Sequence, residues 1–362
     1  MSFINQIIYA SKMVYMHIFP SLYLKYKRQM YINRLQTVAK SCFFKAEIPE
    51  GASFDDYQNA LVKHLVSVNE YLYNYEFWNK SEVTRSEFIS QYSTYMVYNW
   101  FRIYFPTYHN WKLFDYKELA LSRLTEVGLI KRRWLYTPHA TNEQISELLH
   151  STDCIVKPHN ATHGEGVYKV KHDDEQAIAA VLKQVKSSPA VIEECVTGCD
   201  ELQQFHPGSL NTLRVVTIAY EGQGEVFGAC FRMGRGDSVI DNSHGGGIVA
   251  TINVDTGCIE GDAYGDNGRY FHEHPDTGIV INGFQIPQWD KIKQTCIDAA
   301  NAIRGSIIVG WDLTLTADGN VEFIEANNTP DFDGGMQAPL KKGVKRQLTD
   351  TIYRVTGKRY HG

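Results

Sequence analysis

The sequence predicts an α+β protein with largely antiparallel sheets, preceded by a helical, aromatic-rich N-terminal region. From residue 154 onwards, short apolar segments alternate with turns, and most neighbouring segments are joined by hairpin-length connections. Asp318-Gly319 is a strong hairpin signal between two of these segments. Before residue 113, apolar residues instead recur at spacings of three and four, as on one face of a helix.

Residues 1–113 form the predicted helical region. Thr84 and Glu87 make a capping-box pair, and Tyr, Trp and Phe are dense between residues 71 and 111. An aromatic-rich core is the favoured interpretation, and an aromatic groove for a sugar or another flat ligand is the alternative. The remaining residues, 114–362, are predicted to form one domain that divides near residues 195–200.

Capping and periodicity place the elements of this second domain. Asp115 with Glu118 can cap a helix that Gly128 ends, and Thr141 with Gln144 can cap another. Strands are predicted at residues 154–157, 166–170, 190–196, 212–220, 225–233, 248–254, 307–315 and 321–326, and helices at 288–304 and 339–355.

The composition excludes several classes of protein. The 362 residues are 43% hydrophobic and 21% charged, which is typical of a globular chain. A net charge of −5 gives no general attraction to nucleic acid, so no nucleic-acid partner is expected. Seven scattered cysteines do not suit a disulfide framework, and a reducing cytoplasm is the predicted location.

The segment of residues 3–28 mixes apolar residues and tyrosines with Lys12, Lys25, Lys27 and Arg28. A helix packed on its own domain is the favoured interpretation. Peripheral contact with the inner face of the membrane is the alternative. The sequence contains no apolar stretch of membrane-spanning length and no signal-peptide pattern.

Oxygen-bearing side chains flank the Asp318-Gly319 turn. If those two residues alone form the turn, Asp312 lies directly opposite Glu325, and Asn327 shares the face of Glu325. Facing carboxylates repel each other unless a cation lies between them. Because all the donors are oxygens, the pattern predicts a site for Mg²⁺ or Mn²⁺.

Three upstream segments carry groups suited to a phosphorylated ligand. Lys157 ends a strand before a loop of small and polar residues, where backbone N–H groups can approach an anion. Glu193 and Glu194 end an apolar strand and can offer groups to a purine and a ribose. Arg214 lies inside an apolar strand, so it needs an anionic partner, either a structural carboxylate or a phosphate.

In this order, the lysine–glycine loop, acidic strand end, strand arginine and Asp…Glu-x-Asn hairpin resemble the ATP-grasp superfamily. The fuller set of sequence motifs is similar to that of its sugar-transfer-associated branch, whose members are typically encoded among polysaccharide-biosynthesis enzymes. The resemblance covers roughly residues 115–340, and the motifs that carry it are the segments 211–214, 241–247, 310–312 and 325–331.

The resemblance implies ATP and magnesium bound between two α+β subdomains. Lys157 and Lys117 would contact phosphates, and Arg214 would neutralise the transferring phosphoryl group. Asp312, Glu325 and Asn327 would hold the magnesium ions. The implied flap is Gly164, Glu165 and Gly166; the adenine hinge is Glu193, Glu194 and Val196; and the ribose carboxylate is Asp200, with Glu201 as the fallback.

The leading hypothesis is a carboxylate–amine ligase that forms an amide through an acylphosphate. Its expected partners are a small-molecule carboxylate and a small-molecule amine, with a sugar-linked substrate. The branch suggests an amino acid or amine joined to a sugar acid or amino sugar of a capsule or O-antigen precursor. Residues expected to face the acceptor are Arg232, Arg235, Asp241, Asn242, His244 and Asp331. A kinase that phosphorylates a sugar hydroxyl is the second hypothesis, and a non-catalytic ATP-binding component of a glycan assembly is the third.

Overall fold

The computed structural model describes residues 101, 104–105, 110–159, 166–238, 241, 246–265, 269–328, 330, 332–340 and 344–359. The chain divides into two compact units, residues 110–330 and residues 1–109 with 331–362. The helical N-terminal region and the segment 3–28 lie outside the described residues almost entirely, and the domain limits at 113 and 114 stay a prediction.

The first sheet of the 110–330 unit has four strands in the order β1-β4-β2-β3, and all three pairings are antiparallel. Its strands are β1 (Trp134–Tyr136), β2 (Cys154–Pro158), β3 (Tyr168–Val170) and β4 (Ala190–Glu194). Two helices, α3 (Asn142–Ser151) and α4 (Glu175–Gln184), supply apolar residues to the core on one face of this sheet. The opposite face carries Lys157 and Glu193.

The second sheet has seven strands in the order β11-β10-β5-β6-β7-β8-β9, again with antiparallel pairings. The strands are β5 (Thr212–Tyr220), β6 (Gln223–Met233), β7 (Ile248–Ile252), β8 (Ile259–Gly265), β9 (Arg269–Phe271), β10 (Ile308–Leu315) and β11 (Val321–Asn327). The prediction of α+β architecture with largely antiparallel sheets is confirmed. The predicted division near 195–200 falls between Glu194, where the first sheet ends, and Thr212, where the second begins.

One face of the second sheet forms the larger core. Leu213, Val215, Phe231 and Trp311 alternate with outward residues along their strands and are fully buried. The helices of this unit that contribute to this core are the short α1 (Trp111–Asp115), α2 (Lys117–Glu126), α5 (Asp200–Gln203) and α6 (Trp289–Ile303). The charged side chains Arg214 of β5, Arg232 of β6 and Asp312 of β10 alternate with these core residues and therefore lie on the other face.

One predicted helix cap is confirmed and another is wrong. Thr141 accepts a hydrogen bond from the Gln144 N–H and its own N–H donates to the Gln144 side chain, so the capping box forms. Asp115 does not cap α2, because it is the last residue of α1. The Lys117 N–H donates instead to the His159 carbonyl at 3.0 Å, which ties the start of α2 to the end of β2.

In the 331–362 segment, a π-helical turn (Asp333–Gln337) precedes α7 (Ala338–Leu340) and α8 (Lys345–Thr356). The prediction of a single helix over 339–355 is wrong. The Val344 N–H donates to the Gln337 side chain at 3.0 Å rather than to a helical carbonyl. Among the described residues, no helix combines the length and apolar character needed to cross a membrane.

Candidate functional site

The β10–β11 hairpin places Asp312 directly opposite Glu325, as predicted. The turn is nevertheless longer than predicted. Thr316 N–H donates to Asn320 O and Gly319 N–H donates to Thr316 O, so three residues, Ala317 to Gly319, form the loop. Ile324 is an extra residue in β11 at a bulge beside Asp312, and this bulge compensates for the longer turn.

Asp312 is buried and bound by two arginines. The Arg214 guanidinium donates to both carboxylate oxygens, with Nη2 2.8 Å from Oδ2, and Arg232 Nη2 lies 3.1 Å from Oδ2. Burial disfavours the charged carboxylate, but the two arginines outweigh it and hold the pKa of Asp312 below its ordinary value. A carboxylate thus supplies the anionic partner that Arg214 required.

Glycine at position 310 makes room for this arrangement. A Cβ at Gly310 would lie 3.1 Å from the Arg214 side chain and 2.8 Å from Pro330. A larger residue would therefore push against the arginine that binds Asp312. This close approach gives a physical reason for the glycine in Gly310-Trp311-Asp312.

Asp241 extends the charged network to the start of β5. Its Oδ2 accepts hydrogen bonds from the Thr212 N–H, at 2.9 Å, and from the Thr212 hydroxyl, while Arg232 lies 3.7 Å from Oδ1. Burial raises the pKa of Asp241, and Arg232 and Thr212 oppose that shift only in part. Two buried carboxylates beside one arginine therefore have pKa values displaced in opposite directions.

Glu325 and Asn327 complete the oxygen-bearing set on the hairpin. Lys117 Nζ lies 2.8 Å from Glu325 Oε1, the Glu325 side chain is 39% exposed, and Asn327 pairs with Gly310. No three His, Cys, Asp or Glu side chains of the described residues are grouped to hold a metal ion. The hairpin offers two carboxylates and an amide instead, an all-oxygen donor set that fits Mg²⁺.

A second group of charges lies on the first sheet. Glu193 is buried, with Lys157 Nζ 2.7 Å from its Oε1 and Arg132 Nε 2.7 Å from its Oε2. Burial works against the charged form, but Lys157 and Arg132 lower the pKa of Glu193 to about 2. Arg132 also binds Glu322 and the Phe323 carbonyl of β11. Neither Arg132 nor Glu322 is marked by a motif in the sequence.

A cleft between the two sheets brings these groups together. Its polar lining consists of Lys117, Lys157, Glu193 and Glu325. Its apolar lining consists of Phe114, Ala120, Leu121, Leu124, Ile324 and Ala326. The cleft thus places two lysines and two carboxylates beside an apolar wall, and its lysines are the groups that can meet an anionic ligand.

The remaining predicted nucleotide residues lie near the end of β4. Glu194 pairs with Arg133 at the strand end, and its N–H donates to the Arg133 carbonyl. Val196 follows the strand, and Asp200 and Glu201 are exposed in the first turn of α5. None of these four residues lines the cleft that the described residues form.

Gly166 has a φ of +70°, and a Cβ there would lie 2.9 Å from the Pro158 ring, so glycine is required as the chain returns to β3. Gly164 and Glu165, the other predicted flap residues, lie outside the described residues.

Of the predicted acceptor residues, Asn242, His244 and Asp331 also lie outside the described residues. Arg235 stands apart from the Asp312 network, with its guanidinium 5.5 Å from the Phe271 ring centroid.

Comparison with known proteins gives a family. A model of the sugar-transfer associated ATP-grasp family matches residues 116–352. A D-alanine–D-alanine ligase of Bacillus velezensis is 25% identical over 227 residues, which are 62% of this chain and 52% of that protein. The chain therefore spans about half the length of this curated relative.

Two solved structures are also similar to the chain. The ATP-grasp ligase PsnB, complexed with a minimal precursor, is 19% identical over 67% of this chain and 60% of its own, with a TM-score of 0.42. D-alanine–D-alanine ligase from Bacillus anthracis is 17% identical over 67% of each chain, with a TM-score of 0.40. Since the family model matches well over half of the sequence, this chain belongs to the sugar-transfer associated ATP-grasp family.

Proposed function

We propose that the protein is an ATP-dependent carboxylate–amine ligase that forms an amide through an acylphosphate. The observation that carries the proposal is the cleft in which Lys117, Lys157 and Glu325 meet, next to the Asp312 hairpin. Membership of the ATP-grasp family supports it. The curated relative, named as a D-alanine–D-alanine ligase, also favours this reaction.

In this proposal the phosphates of the nucleotide occupy the cleft between the sheets, and its adenosine lies outside the cleft, at the end of β4. Lys117 and Lys157 bind its phosphates, and both lysines already extend into the cleft. The backbone near Glu194 and Val196 receives the adenine, and Asp200, with Glu201 as the fallback, binds the ribose. Glu193 supports Lys157. The flap is assigned to Gly164, Glu165 and Gly166.

Asp312, Glu325 and Asn327 are the proposed magnesium ligands, and manganese is an alternative ion with the same donor preference. When bound, the ion supplies positive charge to the phosphate oxygens. Lys117 lies against Glu325 in the structure and can remain beside it as a second positive charge near the phosphates. Asp312 remains anchored by Arg214 and Arg232.

The chemistry needs electrostatic stabilisation more than a strong base. A substrate carboxylate is ionised at neutral pH and attacks the γ-phosphorus, while ADP leaves. An amine then attacks the acyl carbon, and phosphate departs as the amide forms. Lys157 and Arg214 are the proposed stabilisers of charge on the phosphoryl oxygens.

The acceptor is proposed to bind on the Arg232 side of the hairpin. Arg232 and Asp241 lie beside Asp312, and Arg235 follows at the end of β6. Asn242, His244 and Asp331 complete the proposed set from outside the described residues. The family description supports a sugar acid or amino sugar of a polysaccharide precursor as one partner in the ligation.

The reaction is tested by supplying ATP and magnesium with pools of amino acids, amines and sugar acids. A ligase should release phosphate and form an amide only when a carboxylate and an amine are both present. A stable phosphorylated sugar would instead establish a kinase. ATP binding without turnover in any pool would establish a non-catalytic component.

The site is tested by Glu325→Gln. Because the carboxylate is a proposed metal ligand, we expect magnesium-dependent ATP turnover to fall by about 100-fold or more. The side chain is 39% exposed, so stability should change by less than about 1 kcal/mol. Glu260→Gln, on the exposed face of β8, is the matched control and should retain turnover. Full turnover in Glu325→Gln would refute the metal assignment.

A further inference from the structure

Arg132 joins the two sheets from a buried position just before β1. Its Nε donates to Glu193 Oε2 on the first sheet at 2.7 Å, and its Nη1 donates to the Phe323 carbonyl on the second sheet at 2.6 Å. Nη1 also binds Glu322. The side chains of Arg132, Glu193 and Glu322 are each at most 5% exposed.

The two oxygens of Glu193 have different partners. Arg132 donates to Oε2 through both Nε and Nη2, whereas Lys157 Nζ contacts Oε1 at 2.7 Å. Lys157 can therefore leave Oε1 without leaving the buried carboxylate uncompensated. The Lys157 side chain is 14% exposed and lines the cleft, so it is the partner with access to a ligand.

We propose that Arg132 is a positioning residue that holds Glu193 so that Lys157 can pass from this carboxylate to a phosphate of the nucleotide. The inference rests on the proposed function. Without Arg132, Lys157 would be the principal countercharge of a buried carboxylate. Withdrawing it would then leave a buried charge without a partner, so the phosphates would compete poorly for the lysine.

The charges around Glu193 predict how pH acts on this exchange. It faces Lys157 from β2 and Arg132 from the segment before β1; Cys195 follows it, and Lys117 and Glu325 line the same cleft. In the native protein, the pKa of Glu193 is lowered to about 2, so the side chain stays charged. Loss of Arg132 raises that pKa, and mild acid then neutralises Glu193 and releases Lys157.

The experiment measures the Kd for MgATP by calorimetry at pH 8 and pH 6 in the wild type, Arg132→Met and Arg133→Met. We expect Arg132→Met to bind MgATP about tenfold more weakly than the wild type at pH 8, because Glu193 then has only Lys157 to compensate its charge. The ratio of the Kd of Arg132→Met to the Kd of the wild type should be smaller at pH 6 than at pH 8. Arg133→Met removes the neighbouring arginine, which pairs with the half-buried Glu194, and should leave the Kd within about twofold.

The double variant Arg132→Met with Glu193→Gln separates positioning from general damage. Because it has no carboxylate to hold Lys157, it should bind MgATP as Glu193→Gln does, without the added pH dependence. If Arg132→Met does not fold, the double variant is compared with Glu193→Gln alone. Equal Kd values for MgATP support the proposal, and weaker binding by the double variant overturns it.

Wild-type affinity in Arg132→Met at both pH values would also overturn the inference while leaving the proposed function intact. Absence of MgATP binding by the wild type would instead overturn the proposed function, and the inference with it.

Discussion

At the scale of single residues, Asp312 has two roles that differ in their consequences. It is a proposed metal ligand, and it also compensates the charges of Arg214 and Arg232. Removing one partner of a buried ion pair leaves the other charge buried without compensation, and its full desolvation penalty then destabilises the fold. Asp312 is therefore a structural residue as well as a candidate functional one, whereas Glu325 is partly exposed.

We predict that Asp312→Asn lowers the free energy of unfolding by about 3–5 kcal/mol, because two buried arginines lose their shared carboxylate. Urea denaturation measures this change. Asp290→Asn is the control, since the side chain is 94% exposed and its pair with Lys293 lies on the surface of α6. An unfolding midpoint in Asp312→Asn equal to that of the wild type would contradict the prediction.

The sequence could reveal Asp312, Glu325 and Arg214 because each signal is local. A turn motif, strand alternation and an arginine in an apolar strand are all visible within a few residues. Arg132 gives no such signal, since its partners Glu193 and Glu322 are 61 and 190 residues away. Its role depends on how the two sheets meet, which no short pattern encodes.

At the scale of elements, the β10–β11 hairpin shows how a correct pairing can arise from an incorrect turn. Asp318-Gly319 predicts a two-residue turn, whereas the loop contains three residues with Gly319 at a φ of +75°. The bulge at Ile324 restores the pairing of Asp312 with Glu325. A bulge depends on packing of neighbouring strands and has no dependable local signature.

The segment that follows β6 is held by buried histidines. His274 Nε2 donates to the Gly234 carbonyl at 2.8 Å, and its Nδ1 accepts from the Asp276 N–H at 3.3 Å. His206 Nε2 lies 2.9 Å from the Gly236 carbonyl. Protonated His274 would place a second N–H against the Asp276 N–H, so this arrangement needs the neutral ring.

This arrangement predicts a pH dependence of stability. Burial lowers the pKa of His274, assisted by His206 and Arg235 and opposed by the bond to Gly234 and by Asp276. The unfolded chain then binds more protons than the folded chain below the ordinary pKa of about 6.5. Stability is fully present above that pH and falls as the pH drops below it, by at most about 1.4 kcal/mol per pH unit.

Urea denaturation between pH 7.5 and pH 5 measures this effect. The wild type should lose stability over this range, and His274→Gln, which cannot be protonated, should lose less. Parallel curves for the two proteins would exclude His274 as the source. The window lies above the ordinary pKa values of Asp and Glu, so carboxylates with lowered pKa values, such as Asp312 and Glu193, contribute little.

At the scale of the whole molecule, the cleft between the sheets is electrically balanced. The two lysines that line it face two carboxylates, and the chain as a whole carries a net charge of −5. A nucleoside triphosphate alone would therefore add several negative charges to a neutral site in an acidic protein. A divalent cation bound with the nucleotide would reduce that excess, and the proposed site would hold it on the hairpin oxygens.

We accordingly predict that MgATP raises the thermal unfolding midpoint, whereas ATP with EDTA raises it much less. Ligand at about 100 times its Kd adds about 2.7 kcal/mol to the stability of a chain that binds it only when folded. Differential scanning fluorimetry measures the shift without requiring turnover. In Glu325→Gln the response to MgATP should approach that to ATP with EDTA, because a cation ligand is missing. Equal shifts with and without magnesium in the wild type would show that the nucleotide binds without the hairpin oxygens.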